Sequence, residues 1–139
     1  MEPIYTASAL STGDGRNGRV RTSDGTLDAQ LAIPKEMGGA GGALNPEQLF
    51  AAGYAACFHS ALRGVARQAS VTLADDSVTA EVALGRAGEG FGLGVVLRIE
   101  LPGVEADVAD DLVAKAHVMC PYSNATRGNI DVELDITVG

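Results

Sequence analysis

The fold is decided by residues 45–58, which read NPEQLFAAGYAACF. Asn45 is a favourable helix cap, Pro46 fits the first helical position, and Gln48 can reach back to the cap as in a capping box. The rest of the stretch carries no charge, so the sequence predicts a helix that is buried on every side but too short to span a bilayer. With the apolar positions that continue to Ala69, this helix is expected to be about 24 residues, or roughly 36 Å, long.

The length of this helix has a consequence for assembly. A chain of 139 residues is typical of one domain with one hydrophobic core, so we expect a single domain over residues 1–139. A domain of this size can hardly surround so long an apolar helix. Small side chains such as Ala51, Ala52 and Gly53 also allow another backbone to approach closely. The sequence therefore predicts a homodimer in which this helix is shared core.

The remaining sequence predicts two hairpins, a second helix and a final strand. Period-two patterns flank a turn at residues 23–25 and, further along, a turn at residues 88–90. Pro34 is expected to end the first hairpin, and the glycine cluster at 38–42 to form a bent or closely approached loop. The second helix is expected to end near Cys120, before a strand over 130–138; its predicted inward positions are Val104, Val108, Leu112 and Ala116. This order predicts an α+β fold with mostly antiparallel sheet.

Composition excludes several classes of function. Eighteen acidic against ten basic residues give a formal net charge of -8, which argues against nucleic-acid binding because a polyanion is bound by excess Lys and Arg. The N-terminal residues have neither a basic nor an apolar signal region, and no apolar run reaches the roughly 20 residues of a membrane helix. We therefore expect a soluble, cytoplasmic protein that binds no membrane.

The two cysteines, Cys57 and Cys120, are too few for a secreted disulfide scaffold. Alone in an apolar helix, Cys57 would be a small buried hydrophobe. Burial raises the pKa of a thiol, so a reactive thiolate there would require a nearby cation. Arg16 has the backbone freedom of neighbouring glycines to turn inward, with Arg19 and Arg21 as alternatives.

Two other motifs carry little weight. A metal site would need Cys57, His59, His117 and Cys120, but residues two apart on a helix point away from each other, so no metal is expected. Residues 13–18 match a GxGxxG string, yet they precede a strand rather than a helix, which excludes a dinucleotide fingerprint.

Two blocks of the sequence, residues 45–58 and the run CPYSNATRGNIDV at 120–132, resemble the signature blocks of the organic hydroperoxide resistance branch of the Ohr/OsmC family. The GRNG element at 15–18, the glycine-rich loop at 38–42 and FGL at 91–93 also fit in order, so the resemblance covers nearly the whole chain. It implies an OsmC-like fold with antiparallel sheets around long central helices, shared in an intertwined homodimer.

The resemblance also implies an activity. It indicates a thiol-dependent peroxidase that reduces organic hydroperoxides, including lipid hydroperoxides, to alcohols. Cys57 matches the peroxidatic cysteine and Cys120 the resolving cysteine of the family. Arg16 matches the arginine that stabilises the thiolate, and Glu47 the carboxylate that orients this arginine. No bound cofactor is implied; a dithiol such as a lipoylated protein is expected to reduce the Cys57–Cys120 disulfide.

Three expectations about geometry follow. A disulfide needs Cα atoms within about 7 Å, so the loop after the second helix should fold over Cys57. Glu47 and Cys57 are about 15 Å apart along one helix, so one arginine can hardly touch both; Glu47 is therefore expected to come from the partner subunit. The alternative is that Glu47 only stabilises the helix N-terminus. From their size and position, the expected pocket walls are Phe58, Phe91 and Tyr122.

A different class of function stays open at this point. The protein could be a non-catalytic binder of small apolar molecules on the same fold, with Cys57 as a packing residue. The behaviour of the two thiols toward a hydroperoxide distinguishes the two hypotheses.

Overall fold

Short strands separated by tight turns build the first part of the chain in the computed structural model, which describes residues 1–139. The chain forms two compact units, Met1–Leu49 and Phe50–Gly139. The first unit contains an antiparallel sheet of β1 (Ala9–Thr12), β2 (Arg19–Thr22) and β3 (Asp28–Gln30). The predicted β2–β3 hairpin is confirmed, whereas β1 was not predicted. Strand β3 ends at Gln30, before Pro34, and the next residue, Leu31, forms an isolated bridge with Leu44.

The glycine loop of the first unit is closely approached, as predicted. A Cβ atom on Gly39 would lie 2.1 Å from the carbonyl oxygen of Ile33, a distance that no side chain tolerates. Gly38 adopts a φ of 86°, in the left-handed region that favours glycine. Only glycine therefore fits the path of this loop.

Helix α1 (Pro46–Gln68) begins where the sequence predicts. The backbone N–H of Gln48 donates to Oδ1 of Asn45 at 2.9 Å, and the backbone N–H of Asn45 donates to Oε1 of Gln48 at 3.2 Å. This reciprocal pair is a capping box. The prediction of burial on every side is wrong for the single chain. One face is buried, and Ala52 and Ala56 on another face are exposed.

The second unit contains a sheet of order β4-β5-β6, formed by β4 (Ser77–Ala87), β5 (Gly90–Glu100) and β6 (Val132–Thr137). Its long hairpin is confirmed, and in it Val78 pairs with Ile99 and Val82 with Val95. Strand β6 pairs with β5 in parallel, while every other strand pair is antiparallel. The mostly antiparallel α+β class is therefore as predicted.

Helix α2 (Ala106–Met119) packs a different stripe inward from the one predicted. Leu112 and Ala116 are buried as expected, but Val108 is 37% exposed. The correct partners are Ala109 and Val113, because a helix buries positions spaced by three and four rather than by four alone.

The chain after Cys120 is a helix rather than the predicted loop. Pro121 ends α2, since it lacks a backbone N–H, but the same property suits the first position of a new helix, α3 (Pro121–Thr126). Cys120 is thus the junction of two helices. None of the helices combines the length and the apolar character that crossing a membrane requires.

Candidate active site

The two cysteines meet inside the second unit. Helix α1 carries Cys57, the junction of α2 and α3 carries Cys120, and their Sγ atoms are 3.6 Å apart. Both are free thiols, Cys57 half-buried and Cys120 buried. A disulfide bond is about 2.05 Å long, so a small movement would join them. The predicted approach of the two residues is confirmed, although a helix rather than a loop achieves it.

Backbone amides of α3 face both sulfur atoms. The N–H of Ser123 donates to Sγ of Cys120 at 3.5 Å, so the Cys120 side chain caps α3. The backbone amide of Tyr122 lowers the pKa of the Cys57 thiol. Amide donors stabilise sulfur anions, because their partial positive charge faces the developing negative charge.

The surroundings of Cys57 nevertheless favour its neutral form. Burial raises the pKa of the Cys57 thiol, and the hydrogen bond and charge of Cys120 raise it further. The hydrogen bond from Tyr122 lowers this pKa but does not outweigh burial. No cation is among the groups that shift it. A reactive thiolate at Cys57 therefore requires a positive charge that its surroundings in the second unit do not supply.

Cys57 opens onto an apolar cleft of about 400 Å³. Residues that follow Cys57 at helical spacing on α1 form much of it. The lining residues are Cys57, Ser60, Ala61, Gly64, Val65, Gln68, Met119 and Pro121. A small apolar molecule in this cleft would bring its reactive end to the Cys57 thiol.

The three predicted pocket residues are not among the residues that line this cleft. Phe58 is fully buried in the core of the second unit. Phe91 is 66% exposed on β5, with the guanidinium of Arg86 5.6 Å from its ring centroid. The ring of Tyr122 packs against the ring of Tyr54, with centroids 5.8 Å apart. These aromatic residues were predicted as pocket walls from their size and position. The direction of each side chain is set by the residues that pack against it.

Arg16 and Glu47 form an ion pair inside the first unit. Arg16 lies in a 3-10 turn (Gly15–Asn17), and its Nη1 and Nη2 donate to the Glu47 carboxylate at 2.8 and 2.7 Å. The hydrogen bond from Arg16 holds the pKa of Glu47 below its usual value, although burial opposes this effect. The alternative Arg19 is bound to Asp28 at 2.6 Å.

This pair corrects the expectation that Glu47 meets Arg16 across subunits. The two residues are paired within one chain, because the 3-10 turn presents Arg16 to the first turn of α1. The expectation assumed that Arg16 meets Cys57 of its own chain, and the Arg16–Glu47 pair does not require that contact. Glu47 also lies in the first helical turn, where a carboxylate is favourable in any case.

Comparisons with known proteins agree over nearly the whole chain. A family model described as OsmC-like protein matches residues 39–135. An organic hydroperoxide resistance protein of Xanthomonas axonopodis pv. citri is 54% identical over 135 residues, 96% of this chain and 94% of the relative. The chain belongs to the organic hydroperoxide resistance branch of the OsmC-like family.

Solved structures of this branch share the fold. The crystal structure of an organic hydroperoxide resistance protein from Legionella pneumophila is 55% identical and superposes with a TM-score of 0.94, covering 99% of this chain and 100% of that one. One from Elizabethkingia anophelis is 48% identical, with a TM-score of 0.95 and complete coverage of both chains.

The two histidines of this OsmC-like chain have protein partners. Nε2 of His59 lies 2.7 Å from Asp76, whose carboxylate also accepts from Arg63 at 2.6 Å. Burial raises the pKa of Asp76, but hydrogen bonds from His59 and Arg63 outweigh it, so this pKa lies below its usual value. Nδ1 of His117 lies 2.8 Å from Oγ of Ser123.

A polar contact that was not predicted joins the two blocks that carry the family resemblance. The hydroxyl of Tyr54, from the first block, lies 2.8 Å from that of Ser123, from the second. Ser123 is completely buried and Thr126 nearly so. Their spacing of three residues, which places both on one helical face, could have pointed to them once α3 was recognised as a helix.

Proposed function

We propose that this protein is a peroxiredoxin-like organic hydroperoxide reductase, an oxidoreductase that acts on organic peroxides. The observation that carries the proposal is the pair of free thiols, 3.6 Å apart, at the edge of an apolar cleft. Family membership supports it, since the relative from Xanthomonas axonopodis pv. citri is named an organic hydroperoxide resistance protein.

The proposed cycle has three balanced steps. The Cys57 thiolate attacks the distal oxygen of the hydroperoxide, the O–O bond breaks, and the departing alkoxide takes a proton to become the alcohol. Cys57 becomes a sulfenic acid. The sulfur of Cys120 then attacks the sulfur of Cys57, forming the disulfide and releasing water. A dithiol finally reduces the disulfide by exchange and becomes a disulfide itself.

In this proposal Arg16, held by Glu47, supplies the positive charge to Cys57 of the partner subunit, because Glu47 and Cys57 of one helix are about 15 Å apart. Burial raises the Cys57 pKa, so the thiolate needs a cation, and Arg16 is the residue that matches the family's thiolate-stabilising arginine. Glu47 fixes the Arg16 guanidinium through two hydrogen bonds. Such a bidentate pair restricts the guanidinium in both position and orientation.

The cleft supports organic hydroperoxides as substrates, with lipid hydroperoxides among them. Its walls are mostly aliphatic, with Ser60 and Gln68 as polar exceptions, so it suits an apolar group better than hydrogen peroxide. A dihydrolipoyl group on a partner protein is the proposed reductant, on the strength of the family resemblance. No bound cofactor enters the cycle.

The proposal includes a homodimer and a cytoplasmic location. Ala52 and Ala56 of α1 are exposed in the single chain, and Val118 and Met119 are 65% and 59% exposed. A homodimer would cover such apolar side chains. We place the protein in the cytoplasm, where thiols are kept reduced between turnovers. Light scattering at micromolar concentration tests the dimer, and a purely monomeric protein contradicts it.

Counting free thiols tests the activity. The reduced protein is mixed with cumene hydroperoxide, and thiols are counted over time. We expect rapid loss of both thiols and release of one alcohol per disulfide. Cys57→Ser should keep its remaining thiol, because the nucleophile is gone. Cys120→Ser is the matched variant: it should complete one turnover and retain a sulfenic acid at Cys57.

Two outcomes would contradict the proposal. Unchanged thiols in the wild type would favour the alternative, a non-catalytic binder of small apolar molecules. An unaltered steady-state cycle in Cys120→Ser with a dithiol reductant would remove Cys120 from the mechanism.

A further inference from the structure

Ser123 is a completely buried polar side chain in α3. Its hydroxyl lies 2.8 Å from Nδ1 of His117 and 2.8 Å from the hydroxyl of Tyr54. The hydroxyl of Tyr54 also lies 3.2 Å from Oγ1 of Thr126. We call these four side chains the Ser123 network. The proposed cycle uses none of them.

The hydrogen bonds of the Ser123 network have one consistent direction. Each hydroxyl has a single proton to donate. Thr126 donates its proton to the backbone carbonyl oxygen of Ser123 at 3.1 Å. Thr126 therefore accepts from Tyr54, and Tyr54 accepts from Ser123. With Thr126 as the donor to the Ser123 carbonyl, the hydroxyl of Ser123 accepts from an N–H at Nδ1 of His117.

The environment of His117 agrees with this direction. Burial lowers the pKa of His117, and the positive charge of Arg127 lowers it further, so the ring is neutral at pH 7. Arg127 also donates to the backbone carbonyl of His117. A neutral imidazole carries one proton, and the network requires that proton on Nδ1.

The network is connected to both thiols. His117 precedes Cys120 by three residues at the end of α2, and Tyr54 precedes Cys57 by three residues on α1. The hydroxyl of Ser123 contacts both His117 and Tyr54, and its backbone N–H donates to Sγ of Cys120. The same residue thus links the helices that carry the two cysteines and holds one of the sulfur atoms.

We infer that Tyr54, Ser123 and His117 are positioning residues for closure of the Cys57–Cys120 disulfide, with neutral His117 donating from Nδ1. The inference rests on the proposed function, in which Cys57 is a sulfenic acid after peroxide reduction. In closure the S–S bond forms and the S–O bond of Cys57 breaks. The hydroxide leaves with the thiol proton of Cys120 as water. The sulfur of Cys57 is reduced and that of Cys120 is oxidised.

The position of the Cys120 thiol matters because disulfide formation competes with further oxidation of Cys57. A sulfenic acid that no thiol captures is oxidised by a second hydroperoxide to sulfinic acid. A network that keeps the Cys120 thiol beside Cys57 shortens the life of the sulfenic acid. None of its four side chains is among the groups that shift the Cys57 pKa, so the network is not expected to change the first step.

Tyr54→Phe is the first test, because it removes one hydroxyl and keeps the ring that packs against Phe50 and Tyr122. Stopped-flow measurements should show an unchanged rate of sulfenic acid formation and closure that is roughly fivefold slower, equivalent to about 1 kcal/mol. Mass spectrometry should find more sulfinic acid at Cys57. Tyr5→Phe, which removes the hydroxyl of an 80% exposed tyrosine, is the control and should match the wild type.

His117 provides a rescue test and a spectroscopic one. His117→Ala should slow closure by a similar factor, and His117→Asn should restore most of the rate, because its amide can place a donor near the position of Nδ1. Nitrogen NMR of the wild type should show the Nδ1–H tautomer at neutral pH. An Nε2–H tautomer would overturn the direction of the network.

A measurement without peroxide separates this inference from the proposed function. The Cys57–Cys120 pair is equilibrated with glutathione redox buffers, and Tyr54→Phe should lower the equilibrium constant for disulfide formation by a factor similar to that in closure. If the wild type forms no sulfenic acid, the peroxidase proposal falls, and this equilibrium still decides the positioning role. The inference would be overturned, with the peroxidase proposal intact, if both Tyr54→Phe and His117→Ala fold and keep the wild-type rate of disulfide closure. They would also have to keep the wild-type equilibrium constant for disulfide formation.

Discussion

Arg16→Ala gives the most direct test of how Cys57 becomes reactive. The substitution is made in a Cys120→Ser background, so that Cys57 is the only thiol. Burial holds the pKa of Cys57 above its usual value, and the surroundings of Cys57 in the second unit supply no cation to oppose it. The proposed activity therefore predicts that the Arg16 guanidinium sets this pKa.

The expected magnitude follows from the thiolate fraction. A free thiol with a pKa of about 8.5 is only about 3% thiolate at pH 7, and burial makes this fraction smaller. A guanidinium close to the sulfur lowers the pKa by roughly 1 to 3 units. Arg16→Ala should therefore raise the Cys57 pKa by at least about one unit and slow its alkylation at pH 7 by roughly tenfold or more.

The assay is the rate of iodoacetamide alkylation as a function of pH, whose midpoint is the pKa of Cys57. Arg21→Ala is the matched control, because Arg21 is an exposed arginine of β2, the strand that follows the turn of Arg16. Glu47→Gln should shift the midpoint in the same direction as Arg16→Ala but less, since it frees the guanidinium without removing it. An identical midpoint in Arg16→Ala and its parent would refute the reasoning, and a shift in Arg21→Ala would transfer the role to that residue.

Three further substitutions test the fold and the cleft. Gly39→Ala should destabilise the protein by about 1–3 kcal/mol in chemical denaturation, because its Cβ would lie 2.1 Å from a backbone oxygen; Gly90→Ala, where nothing is nearby, is the control. Asp76→Asn should cost about 1–2 kcal/mol at pH 7. The pKa of Asp76 is lowered in the folded state, so Asp76 contributes stability that is present above about pH 4. This stability is lost as the pH falls through the folded-state pKa. Asp76→Asn should therefore lose less stability in acid than the wild type does. Gly64→Val should raise KM for cumene hydroperoxide more than for tert-butyl hydroperoxide, since its side chain would enter the cleft.

Each of these expectations has a clear counter-result. Equal stabilities of the two glycine variants would show that the loop can move away from an added Cβ. A wild-type acid-unfolding profile in Asp76→Asn would show that its hydrogen bonds contribute no net stability. Equal changes in KM for both hydroperoxides in Gly64→Val would place the substrate outside the cleft.

Local signals predicted the elements well. The capping box at Asn45 and Gln48 and the turn of the second hairpin depend on residues close in sequence, so both could be predicted without the fold. The same local reasoning failed at Pro121, because proline ends one helix and begins the next equally well.

In the candidate site, too, some features were predictable from local sequence and others were not. The two signature blocks identified Cys57 and Cys120, and the structure brings their sulfur atoms together. The cleft walls were not predictable, because periodicity gives the buried face of a helix but not the neighbour that covers it. Phe58, at helical spacing from Tyr54 on the same face of α1, therefore points into the core rather than into the cleft.

The sequence by itself determined the α+β class, the start of α1, the long hairpin and the two cysteines that the structure brings together. Only the tertiary structure decided that β6 runs parallel to β5, that Arg16 binds Glu47 of its own chain, and that Ser123 joins His117 to Tyr54. These contacts join residues distant in sequence. Their partners are chosen when whole elements pack, because a side chain's direction is fixed by its local backbone, whereas the atom it meets is fixed by another part of the chain.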